Sequence, residues 1–93
     1  VEIIMKNYYS EIDGIILTFS DIKEKNGFEE IRVYFERANE NGGFDFAEGS
    51  LPENRFYKTY GFSEDELMQM ESYLRNNAFI IWEMAREGGV VHA

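Results

Sequence analysis

Residues 62–89 hold a complete set of helix start and stop signals, and these leave little freedom in how the C-terminal third of the chain can fold. Ser63 is a natural N-cap, and Glu66 stands at the third helical position, from which it can reach back to complete a capping box. Phe62 before the cap and Leu67 after it have the spacing of a hydrophobic staple. Gly88 and Gly89 supply a left-handed stop. Within these limits Leu67, Met70, Leu74, Ala78, Ile81 and Ala85 recur every three or four residues, which makes one apolar stripe. The pattern predicts a helix over Ser63–Glu87 lying on something flat.

The flat element is predicted from the residues ahead of the only proline, Pro52. Gly14–Ser20 is apolar and β-branched and follows a turn pair, Asp13-Gly14. Ile31, Val33 and Phe35 alternate with Arg32, Tyr34 and Glu36, the period of a half-buried strand. Asn26-Gly27 between these segments suits a tight hairpin. Residues 39–43 (Asn-Glu-Asn-Gly-Gly) reverse the chain again, and Phe44 and Phe46 alternate with Asp45 and Ala47 in a further strand. Glu2–Tyr9 and Arg55–Tyr60 are strand-like at the two margins. The expected fold is a single α+β domain over residues 1–93. It is an antiparallel β-meander of three to five strands with one long C-terminal helix packed on one face. The expected buried set is Ile15, Leu17, Phe19, Ile31, Val33, Phe35, Phe44, Phe46, Leu67, Leu74, Ala78 and Ile81.

Composition narrows the chemistry. With 44% hydrophobic residues, the chain has enough apolar material for a core. There is no Cys, so disulfides, thiolate metal sites and cysteine nucleophiles are out of reach, and a cytoplasmic setting is expected. No apolar run approaches the ~18 residues of a membrane span, and the start lacks the basic and apolar regions of a signal peptide. Eighteen acidic residues against nine basic ones give a formal charge of −9. Such a field slows encounter with nucleic acid and anionic membranes and favours a basic protein partner.

Motifs for catalysis are thin. The lone histidine, His92, is the penultimate residue, a poor place to hold an imidazole still. No Gly-x-Ser-x-Gly, P-loop or Gly-x-Gly-x-x-Gly pattern occurs, so no cofactor is expected. Asp45 and Glu48 are the best candidates for paired carboxylates, which would make a small enzyme or a hard-cation site. The neighbouring Asn39 and Asn41 are explained by turn geometry, and no metal site is expected. Glu64, Asp65 and Glu66 suit the positive end of a helix. Arg55, Phe56, Tyr57 and Lys58 interleave cations with rings, as a single-strand nucleic-acid platform does, but two cations on a chain this acidic make packing the preferred reading.

Surplus apolar surface carries the favoured functional expectation. Phe79, Ile80, Ile81 and Trp82 go most of the way round the helix, more than one sheet can cover. Met68, Phe79, Ile80, Trp82 and Met84 are therefore the expected interaction surface of a small acidic, non-enzymatic regulatory or interaction domain. The expected partner is a second copy, making a homodimer, or another protein of basic character.

Glu30–Glu36, the Gly42-Gly43 reversal, Phe44-Asp45-Phe46, Ser50-Leu51-Pro52 and the capped helix together resemble the order of parts in HicB-type antitoxins. Those proteins are acidic partners of small basic RNA-cleaving toxins. The resemblance implies an antitoxin-like or nucleic-acid-mimicking inhibitor of a basic partner. Glu53 stands where the family has Gly after Leu-Pro, and Gly61-Phe62-Ser63 replaces its usual Gly-Asp-Thr lead into the helix.

Overall fold

A computed structural model describes residues 6–88. Six strands precede one helix: β1 (Lys6–Ile12), β2 (Ile15–Ser20), β3 (Lys23–Lys25), β4 (Phe28–Ala38), β5 (Phe44–Leu51), β6 (Arg55–Tyr60) and α1 (Glu64–Arg86). All pairings are antiparallel, and the order across the sheet is β1-β2-β4-β5-β6. The expected α+β meander with a C-terminal helix is what the chain forms. A short extra strand arises because the partner of the eleven-residue β4 breaks at Asp21-Ile22: β2 pairs with one half of β4 and β3 with the other.

The turns follow from residues that accept positive φ. Asp13-Gly14 (φ 53° and 80°) joins β1 to β2, and Asn26-Gly27 (φ 53° and 84°) joins β3 to β4. Both residues of each pair are left-handed, as a two-residue hairpin turn requires. The segment Pro52–Asn54 turns β5 into β6. Both margins of uncertain sequence are strands: Arg55–Tyr60 is β6, and the first arm is β1 from Lys6, with residues 2–5 outside the described part.

The helix begins as its signals require. Ser63 Oγ accepts from Glu66 N–H at 3.1 Å and Glu66 Oε1 accepts from Ser63 N–H at 2.9 Å. At the other end Gly88 adopts φ 86°, while Gly89 and His92 lie outside the described residues. The core lies between α1 and one face of the sheet: Leu17, Phe19, Ile31, Val33, Phe35, Ala47 and Leu51 below, Met70, Leu74, Ile81 and Ala85 above.

Five expectations about burial need correction. Ile15, Leu67 and Ala78 are half-buried, at the margins of the core rather than within it. Phe44 is 60% exposed and Phe46 is half-buried, because the alternation of β5 is of the opposite sense. Asp45, Ala47 and Gly49 face the helix, so Phe44 and Phe46 must face away.

Candidate functional site

The fold divides the expected surface on α1 between half-buried and exposed residues. Trp82 and Met84 pack against the core, each half-buried, and the Arg86 guanidinium lies 5.1 Å from the Trp82 ring while bonding Glu29 at 3.2 Å. Met68, Phe79 and Ile80 do remain exposed. Yet Met68 and Phe79 are three turns apart, and Ser72, Arg75 and Asn76 separate them on the outward side. Isolated apolar side chains of this kind are ordinary on soluble proteins.

The paired carboxylates also come apart. Asp45 points to the helix side of β5 and Glu48 to the other side. Asp45 instead belongs to a structural corner. Its Oδ2 accepts from Arg37 at 2.8 Å, and its Oδ1 accepts from Asn39 Nδ2 at 3.2 Å. Arg37 also donates to Glu66 Oε2 at 2.7 Å and lies 4.5 Å from the Phe62 ring centre. This fastens the helix N-terminus to the β4–β5 turn. Arg37, together with the Ser63 backbone, holds the Glu66 carboxyl below the usual range. Among the described residues no group of three or more acidic or histidine side chains is placed to hold a metal ion.

What the sequence did not single out is the sheet face that α1 leaves bare. Directly opposed residues of an antiparallel ladder share a face, so the register gives its layout. One row carries Lys6 and Ser20 on β1 and β2, Arg32 on β4, Ser50 on β5 and Arg55 on β6. The next carries Tyr8, Thr18, Tyr34, Glu48 and Lys58. A third carries Glu11, Ile16, Glu36, Phe46 and Tyr60. Beyond the first row lie Glu30 opposite Lys23 and Phe28 opposite Lys25. Six of the nine cations of the chain therefore lie on this face, with only four of its eighteen acids, Glu11, Glu30, Glu36 and Glu48. Among the described residues this face therefore carries more cations than acids, on a molecule of formal charge −9.

A bulge between β5 and β6 shapes this surface. Glu48 pairs with Lys58 and Gly49 with Phe56, which leaves Tyr57 as the extra residue. Phe56 turns inward and meets Phe35 edge-on at 5.7 Å, while Tyr57 stands out on the bare face. Of the four residues weighed as a stacking platform, Phe56 is thus removed, and Arg55, Tyr57 and Lys58 join a wider field. Phe46 and Tyr60 stack at 5.9 Å, and Lys6 Nζ lies 4.3 Å from the Tyr34 ring and 3.7 Å from Glu36. Tyr34 is buried beneath these neighbours, and its hydroxyl finds no hydrogen-bond partner among the described residues. Burial raises the Tyr34 and Tyr57 phenols above their ordinary range; Tyr57 pushes Tyr34 up further, and Arg32 beside them offsets part of the rise in both.

Comparison with known protein families, with curated proteins and with solved structures gives no match. The likeness to HicB-type antitoxins therefore rests on the order of parts alone. No helix among the described residues is long and apolar enough to cross a membrane.

Proposed function

We propose that this chain is a non-enzymatic interaction module, in a cytoplasmic setting, whose working surface is the bare face of the sheet rather than the outer face of the helix. The observation that carries the reading is the segregation just described: two thirds of the cations and the rings of Tyr8, Phe46, Tyr57 and Tyr60 share one side of a molecule of charge −9. Aromatic residues and arginine are the side chains most enriched where proteins meet. The two outer strands each carry a bulge, at Tyr9 in β1 and Tyr57 in β6, which disfavours growth of the sheet by edge pairing and leaves the face as the route of contact. Photo-crosslinking in the cells of origin tests the reading. A photoreactive phenylalanine at position 57 is expected to give discrete adducts, and the same group at position 79 is expected to give none. Adducts confined to position 79, or their absence at position 57, would overturn it.

A further inference from the structure

We infer that the occupant of the bare sheet face is a second copy of this chain, docked face to face about a two-fold axis that runs along the Tyr8–Tyr34–Lys58 row. The inference rests on the reading of that face as the working surface and adds what it binds. Its basis is a symmetry of charge. On β4 the outward residues read Arg32, Tyr34, Glu36, and on β1 they read Lys6, Tyr8, Glu11: cation, ring, anion in both strands, in the same sense. The cationic and anionic rows lie about 13 Å apart, four residues of extended chain, with the ring row midway.

A two-fold axis along the middle row reverses strand direction but keeps each strand over its own copy. Arg32 of one copy then meets Glu36 of the other, and Lys6 meets Glu11, each twice. On β6 the same operation sets Arg55 over the ring of Tyr60, a cation–π arrangement. An isologous interface needs this kind of self-complementarity, in which residue i meets j and j meets i. The alternative axis, parallel to the strands, sets Lys6 against Arg55 and is repulsive. Two molecules of charge −9 repel at long range, and this docking joins faces on which the described cations outnumber the acids. Nucleic acid is disfavoured as the occupant because Glu36 sits 3.7 Å from Lys6 and Glu48 stands opposite Lys58, so much of the positive charge is already offset. Two elements are unfavourable, Glu48 and Lys58, which lie on the axis and each face their own copy; they are cross-strand partners, so each charge is partly offset by the other.

Sedimentation equilibrium of the full chain and of charge-reversed variants tests this. The wild type is expected to show a monomer–dimer equilibrium. Arg32→Glu alone and Glu36→Arg alone are each expected to weaken it at least tenfold, since each sets like charges against one another twice. Mixed together, the two weakened variants are expected to form a one-to-one heterodimer, and the double variant to dimerise again. Glu48→Gln is expected to tighten the dimer. Far-ultraviolet dichroism checks that each variant is folded, and Glu11→Lys provides an independent break on β1 should one of the β4 variants fail. A wild type that stays monomeric overturns the second copy as occupant, while adducts from position 57 would still uphold the module. Dimerisation indifferent to all these reversals places the contact elsewhere and, with no adduct at 57, removes both readings. Salt-dependent binding of a single-stranded oligonucleotide, lost in Arg32→Glu, without self-association would assign the face to nucleic acid and overturn the dimer.

Discussion

The two faces of the sheet are built from the same strands, residue by residue in alternation, and they solve different problems. The helix-covered face is apolar at its centre, with the rings of Phe19 and Phe35 among Leu17, Val33 and Leu51, and on β5 it is small, at Ala47 and Gly49. The bare face is large, aromatic and charged: Arg32, Tyr34, Glu36, Phe46, Tyr57, Lys58. β5 makes the contrast plainest, since its bulkiest residues, Phe44 and Phe46, point away from the core while Ala47 and Gly49 point into it. The side that receives a helix is selected by the space it leaves as much as by its hydrophobicity, because interiors are close-packed. Large rings left on the other side are then available for contact.

The sharpest way to break this comparison is to truncate one residue on each face and measure urea unfolding. Leu74→Ala or Ile81→Ala, both at 0% exposure, should cost about 2–5 kcal/mol. Tyr57→Ala, 56% exposed, should cost no more than about 0.5–1 kcal/mol. Equal losses on the two faces would mean that the bare face is a second core and not a docking surface.

Gly49→Ala strikes both faces together and ranks next. A Cβ at Gly49 would collide with the Arg55 carbonyl and the Phe56 ring. Relief requires β6 to move away from β5, which disturbs the inward seat of Phe56 and the outward stand of Tyr57 together. A loss of about 1–3 kcal/mol is expected, along with altered near-ultraviolet dichroism from the displaced rings. A variant as stable as the wild type with unchanged aromatic signals would show that the bulge does not depend on glycine.

The sequence was legible where local chemistry decides structure. The capping box, the two left-handed hairpin pairs and the alternation of β4 each depend on a few adjacent residues, and all are present in the fold. It was illegible where the decision lies between two faces. Phe44 and Phe46 look like core residues because period-two alternation says which residues share a side, not which side the helix takes. The bare face could not be read at all as a site, because its cations come from four strands and meet only through register. One local clue existed, the cation–ring–anion order of Arg32, Tyr34 and Glu36, but its meaning depends on Lys6, Tyr8 and Glu11 lying in the same sense two strands away.

A smaller effect comes from Tyr34, whose buried hydroxyl lacks a partner among the described residues. Removing an unsatisfied buried polar atom leaves the ring packing intact, so Tyr34→Phe should be neutral or stabilise by up to about 1 kcal/mol. The same group bears on alkaline stability. Burial raises Tyr34, Tyr57 and Tyr9 above the ordinary phenol range. The folded protein then keeps protons that the unfolded chain gives up, so their contribution is complete below the ordinary phenol range and is lost as pH rises through the folded values. Tyr34→Phe should make the alkaline limb of a stability–pH curve shallower. A steeper limb would mean that Tyr34 titrates in response to a neighbour rather than to its burial.

The smallest expected effect isolates the corner that ties the helix to its own face. Arg37 and the Ser63 backbone lower the Glu66 pKa, so the folded state favours the charged carboxylate. That stability is present above the ordinary carboxylate range and disappears as pH falls through the folded value. Glu66→Gln is a clean probe because glutamine at the same position can still bond back to the Ser63 N–H and keep the capping box. What it removes is the charge facing Arg37, 2.7 Å away. The variant should therefore lose little at neutral pH, since this ion pair is well exposed to solvent, and its acid limb should be flatter than that of the wild type. Because Arg37 also bonds Asp45, the helix should stay docked even in the variant. If the acid limb is unchanged, proton-linked stability does not pass through Glu66, and the corner holds the helix by packing of Arg37 against Phe62 rather than by charge.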